Sequence, residues 1–295
     1  MINRGSGFSS LHPWLCFFYF LALLLFAMLF KHPFYLASLL FCTIIFNFFL
    51  DRGESLKKKA KFYLLIAAIV IVLNPLFSQR GATILFYLGH RPVTLESMIY
   101  GVLFALILLS IMFVFLAYNL VISPDRFLYL FSSFAPRTAF IITVTLRFIP
   151  LLQHRLREII SVQKAIGGGE GESKKQKAKE AMEVLNILVT WSLESALQKA
   201  ISMRARGYGS GKRSSAVAFS FDKRDLFCMS FMAVTGGLAL LGGFFGYGTF
   251  TVYPSLEAKY PLFNWHFIFF LLFISFPIFM ESREWIWWRF IRSKI

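Results

Sequence analysis

Acidic residues are scarce in this 295-residue chain, where 15 Asp and Glu stand against 31 Lys and Arg, and charged residues of both signs make up only 16% of the sequence. A water-soluble domain carries about 25% charged and roughly 45–50% apolar residues. The low charge, set beside 57% hydrophobic residues that include 37 phenylalanines, excludes an ordinary soluble enzyme and disfavours a nucleic-acid binder. Cysteine is nearly absent: Cys16, Cys42 and Cys228 stand singly in apolar stretches, without metal-ligand spacing or a pairing framework, and read as small hydrophobes. Histidine is dispersed over His12, His32, His90, His154 and His266, with no i, i+4 pair and no cysteine or carboxylate cluster nearby, so no metal centre is expected. No phosphate cradle is present either. Gly207 to Ser214, GYGSGKRS, has three residues instead of four between Gly207 and the Gly211-Lys212 pair and follows a helical pattern instead of a strand. Nor do acids interrupt the apolar stretches, since Glu96 and Glu281 lie at boundaries, which removes the usual mark of an ion or proton path. Asn47, Asn74 and Asn119 are the main polar intruders and read as helix-end or interhelical hydrogen-bonding groups.

The chain does contain six apolar stretches, at about 14–30, 33–50, 62–78, 98–122, 226–246 and 262–280, each near the ~20 residues needed to span a bilayer. Arg4 before the first run gives it the look of a secretory signal. Lys31-His32-Pro33 leads straight into the second run without a small-residue cleavage site, so the two read as a retained hairpin. With the N-terminus cytoplasmic, segments 1–13, 51–61, 123–225 and 281–295 hold 27 of the 31 basic residues, and Lys31, Arg80, Arg91 and Lys259 remain outside. This bias places both termini in the cytoplasm. The expected class is an all-α integral membrane protein divided as 1–122 (four spans), 123–225 (cytoplasmic helices) and 226–295 (two spans and a tail). Gly242-Gly243-Phe244-Phe245-Gly246 adds a small-xxx-small spacing suited to close helix packing.

Within 123–225, Thr138 to Leu152 forms a further apolar run that is short, contains Arg147 and ends near Pro150, so it reads as a helix at the inner interface. Arg147 to Lys164 and Lys174 to Arg206 follow helical periods, joined by a turn that contains Gly167, Gly168, Gly169 and Gly171. The second pattern stops at Gly207-Tyr208-Gly209-Ser210-Gly211, where three glycines offer a left-handed cap and the loop beyond it. Ala196, Ala200, Met203 and Gly207 provide small or flexible residues at intervals of three or four, a stripe open to close helix contact.

Asn74-Pro75-Leu76-Phe77 at the end of the third stretch, Arg147-Phe148-Ile149-Pro150, and Met203-Arg204-Ala205-Arg206-Gly207-Tyr208 occur together in this topology. Together they resemble the transmembrane T component of energy-coupling factor (ECF) transporters, the CbiQ/EcfT-like family, over about residues 14–280. The resemblance implies a non-catalytic subunit that holds a substrate-capturing S component and docks two long coupling helices on a pair of ATPases, which bind the ATP and magnesium. It implies import of a vitamin or a transition-metal ion across a bacterial or archaeal plasma membrane.

In the family, an Ala-Arg-Gly-like motif near the end of each coupling helix enters a groove on one ATPase. Ala205-Arg206-Gly207 matches the second. At the first, this chain has Ala165-Ile166-Gly167, so contact there is expected to be apolar or to use Lys164. A guanidinium suits bidentate pairing with carboxylates. Pro150, Gly168 and Gly169 are candidate joints. Two other classes compete: a stand-alone permease, and a basic membrane scaffold for anionic partners.

Overall fold

A computed structural model describes residues 7–78, 81, 83–88, 91–166, 174–211, 221–253, 257–258 and 264–292. The chain divides into two units, one formed by Met1–Phe127 with Phe219–Ile295 and the other by Leu128–Ala218.

The first unit contains a short 3-10 turn, Gly7–Ser10, and helices α1 (Pro13–Leu29), α2 (Pro33–Asp51), α3 (Glu54–Phe77), α4 (Leu95–Val121), α8 (Lys223–Phe244) and α9 (Trp265–Arg292). α1 and α2 each start with proline as the first helical residue, preceded by a histidine, His12 or His32, whose ring nitrogen accepts a backbone N–H two residues on. Proline there costs no hydrogen bond because that N–H has no partner in the helix. α1 packs on α4 and α8, α2 on α4 and α9, α3 on α4, and α8 on α9.

Rings dominate the core. Phe8 meets Tyr19, Phe20 and Phe46 edge-on at 5.1, 6.2 and 5.7 Å, and Phe26 meets Phe270 and Phe273 at 5.5 and 5.1 Å. Lipid tails are as apolar as these side chains, so the helices associate through packing and geometry more than through water exclusion. Edge-to-face pairs add about 0.5–1.5 kcal/mol each beyond burial. Asn47 supplies one interhelical hydrogen bond, its side-chain N–H donating to the Phe113 carbonyl at 3.0 Å. Gly242 packs against His266 so closely that an added Cβ would lie 2.6 Å from the ring, so one glycine of the small-xxx-small segment brings α8 onto α9.

The helix ends sort into two sets. At one end, the Phe8 backbone N–H donates to the Glu281 carboxylate at 3.0 Å and the Arg224 guanidinium donates to the Ser10 hydroxyl at 3.0 Å. At the other, the His32 N–H donates to the Gly248 carbonyl at 3.0 Å, and the Ser78 and Tyr253 hydroxyls lie 3.1 Å apart. Two antiparallel two-stranded ribbons occupy connections at this second end: β1 (Ile84–Leu88) with β2 (Arg91–Thr94), and β3 (Phe250–Thr251) with β4 (Glu257–Ala258). The first is tied to α4 by the buried Glu96 carboxylate, which accepts the Thr83 N–H at 3.1 and 3.3 Å. The other elements among the described residues are helices, as expected.

Among the described residues, six helices are long and apolar enough to cross a membrane: α2, α3, α4, α8, α9 and, in the second unit, α6 (Pro136–Ala165). This is a multi-pass membrane protein. α1, with 17 residues, is the shorter apolar helix and spans about 25 Å against a hydrocarbon thickness of roughly 30 Å. Its Leu15, Cys16, Tyr19, Phe20, Leu23, Phe26 and Ala27 are all buried, so protein instead of lipid surrounds much of it. The six expected stretches therefore differ from these six helices at α1 and α6. Hydropathy also places the start of the third stretch too late: α3 begins at Glu54, which puts Lys57, Lys58, Lys59 and Lys61 on the helix itself.

The second unit contains α6 and α7 (Lys174–Ala205), entered through α5 (Pro124–Ser132), which begins in the first unit.

Candidate functional site

α6 runs unbroken from Pro136 to Ala165, with Pro150 inside it. The apolar run 138–152 and the first charged helix are thus one element, where the sequence suggests a break. Proline in a helix interior removes one backbone hydrogen bond and favours a bend, so Pro150 marks a weak point within a continuous rod. It is exposed, as is Arg147.

α7 lies antiparallel to α6 in a clear register. Phe140 stacks on Tyr208 at 5.2 Å, the Lys199 ammonium sits 3.2 Å from the centre of the Phe148 ring, the Arg155 guanidinium lies 5.3 Å from the Trp191 ring, and the Gln163 amide donates to the Glu183 carboxylate at 3.4 Å. Each step of seven or eight residues along α6 is matched by one of eight or nine backward along α7. Cation–π contacts at exposed sites are worth about 0.5–1 kcal/mol each. On α6, Arg155 also donates to Glu158 at 2.9 Å, an exposed pair within the helix.

Despite this pairing, no described residue of α7 is buried. Val184, Leu188, Trp191 and Ser195 form a half-covered stripe, while a second stripe of Leu185, Val189, Leu193, Leu197 and Ile201 stays exposed. α7 is therefore apolar on more than one side, with a protein partner in its own unit for only one of them.

The end of α7 is sharply built. The Tyr208 N–H donates to the Met203 carbonyl and the Gly207 N–H to the Arg204 carbonyl, both at 3.0 Å, while Gly207 takes φ 80°. This is the Schellman arrangement, and it needs a left-handed residue where glycine stands. Arg206 is the exposed residue at which the helix turns off, and Ala205 precedes it without side-chain bulk. The cap thus falls at the first of the three glycines.

Lys164, Ala165 and Ile166 end α6, and all three are exposed, Ile166 at 81%. Gly167, Gly168 and Gly169 lie outside the described residues. The antiparallel register brings Arg206 beside the start of α6, about 25 residues from Ile166, or ~37 Å at 1.5 Å per residue. The two candidate contact points thus stand at opposite ends of the helix pair. Asn74 and Pro75 belong to α3 in the first unit, where Pro75 is buried and the Asn74 carbonyl accepts the Ser78 N–H that ends the helix. Sequence reasoning missed the ring and cation contacts that set the register; the spacing of Phe140, Phe148 and Arg155 was visible, but not which α7 residues would oppose them. Among the described residues, no group of three or more His, Cys, Asp or Glu could hold a metal ion.

The sequence profile described as CbiQ, cobalt transport protein, matches residues 8–216, more than two-thirds of the chain and all of both long helices. The chain belongs to the CbiQ family. A stretch of 105 residues is also 30% identical to the energy-coupling factor transporter transmembrane protein EcfT of Lactobacillus helveticus (strain DPC 4571), covering 35% of this chain and 38% of that protein. Members of the CbiQ family are transmembrane components of transporters and are generally non-catalytic.

Proposed function

We propose that this CbiQ-family chain is the transmembrane coupling subunit of an ECF-type importer. It would pass ATP-driven motion of two ATPase subunits to a substrate-binding S component during uptake of a vitamin or transition-metal ion. The observation that carries this reading is the α6–α7 pair. A 32-residue helix with no buried residue among those described, a spare apolar stripe and a capped arginine at its end is built to be completed by other proteins.

Arg206 would enter a groove on one ATPase and make charge-assisted bonds to carboxylates there, with Ala205 and Gly207 allowing close approach. Ala165, Ile166 and Lys164, with Gly167, would meet the other ATPase through apolar contact and the neighbouring ammonium. Contact points ~37 Å apart suit two separate subunits. Bending at Pro150 would let the pair follow the ATPases as they close.

The pairing also favours an interfacial position for α6 over a crossing one. Opposite its apolar half lie Lys199, Arg204 and Arg206 of α7, and each charge taken to the bilayer centre costs about 2.5–3.5 kcal/mol on an insertion scale. The inner face follows from the basic bias, with both termini cytoplasmic.

The direct test is Arg206→Glu, assayed by ATPase co-purification and ATP-driven uptake in vesicles. Both should fall by at least about tenfold, since loss of a buried charged hydrogen bond costs about 2–5 kcal/mol, while membrane insertion persists. Normal uptake by that variant would remove Arg206 from the coupling role.

A further inference from the structure

The first two turns of α3 carry Lys57, Lys58, Lys59 and Lys61 against a single acid of the helix, Glu54. A helix start carries positive partial charge and favours acids, so four lysines there work against the local field. Asp51 is occupied by the backbone N–H and hydroxyl of Ser55. All four lysines are exposed and none makes an ion pair among the described residues. Arg52, which closes α2 with φ 48°, adds a fifth positive charge to the same turn.

The helix face that continues from these lysines is apolar and uncovered. Lys58, Phe62, Leu65 and Ile69 recur at helical intervals of four, three and four, and the three apolar residues are 58%, 58% and 46% exposed. α3 rests on α4 and touches α2 little, so no helix of its unit covers this stripe. Acyl chains alone would satisfy the stripe, and any anion would satisfy the lysines. One kind of molecule offers both in this order and at this depth.

We propose that the start of α3 is a binding site for an anionic phospholipid, its phosphate held by Lys57, Lys58 and Lys61 and an acyl chain lying along Phe62, Leu65 and Ile69. The site is independent of the coupling reading, because it uses no residue of α6 or α7.

The test uses the purified full chain in phosphatidylcholine nanodiscs containing a minor fraction of spin-labelled phosphatidylglycerol. The chain should retain the labelled anionic lipid in preference to labelled phosphatidylcholine, and the preference should weaken as salt rises. Lys57→Gln/Lys58→Gln/Lys61→Gln should lower it by at least about fivefold, the effect of roughly one basic residue at an anionic surface. Lys57→Arg/Lys58→Arg/Lys61→Arg should keep it, and the equal charge loss Lys175→Gln/Lys177→Gln/Lys179→Gln on α7 should leave it unchanged. If the triple glutamine variant inserts poorly, Lys58→Gln alone reads the same preference with a smaller loss. An unchanged preference in the α3 variants overturns the site, as does an equal loss in the α7 variant. Displacement of the lipid by millimolar inorganic phosphate would replace the lipid with a soluble anion. Loss of a co-purified protein with the lipid preference intact would reassign the face to protein docking.

Discussion

Gly207 has a narrow role: it holds the left-handed turn that ends α7 at Ala205 and leaves Arg206 exposed in that turn. Gly207→Ala would place a Cβ in that conformation at a cost of about 1–2 kcal/mol. The expected outcome is fraying of the final turn, seen as faster amide exchange of Tyr208, with weaker ATPase capture but unaltered insertion. His32 offers a second test at this scale. Burial pushes its imidazole below the usual 6.5, and its Nδ1 accepts the Phe34 N–H at 3.4 Å, which needs the neutral ring. A base with a depressed folded-state pKa has no effect on stability above its unfolded value and destabilises the fold as pH falls from there toward the folded value. Amide protection at the His32–Gly248 corner, taken relative to the intrinsic exchange rate at each pH, should therefore fall as pH drops below about 6.5, and His32→Asn, which can still cap the helix, should abolish that loss.

At the scale of elements, the register of α6 on α7 is open to direct chemical test. Cysteines at Gln163 and Glu183, or at Phe148 and Lys199, should cross-link readily with a short reagent, whereas Gln163 with Lys199 should not. Cys16 and Cys228 are buried and Cys42 is half-buried, which limits background reaction. The helices themselves were legible in the sequence because hydropathy and period mark their middles. Their ends were less so. The charged start of α3 reads as a connection because hydropathy falls at Lys61, yet helix geometry continues to the left-handed turn at Arg52 and Gly53. Pro150 suggests a break, but α6 continues through it because the missing hydrogen bond is one among a 30-residue ladder. The Gly207 cap was readable since glycine after a basic, helical run has few other uses. The Glu96 and Glu281 contacts were not, because both pair with backbone N–H groups that no sequence pattern announces.

For the whole molecule, the sorting of helix ends predicts sidedness. A membrane-impermeant thiol reagent should label Tyr87→Cys, on the β1–β2 ribbon, from outside intact cells. It should reach Lys58→Cys only after permeabilisation, and the reverse pattern would invert the orientation read from the basic residues. The antiparallel register has a consequence for assembly. With its candidate contact points at opposite ends of paired helices, the α6–α7 pair would, under the proposed function, act as a ruler whose length in residues sets the spacing of the two ATPases. Removing one matched heptad from both helices would shorten that spacing by about 10.5 Å while keeping the faces aligned. ATPase binding at either end should then survive singly, and simultaneous binding at both should be lost.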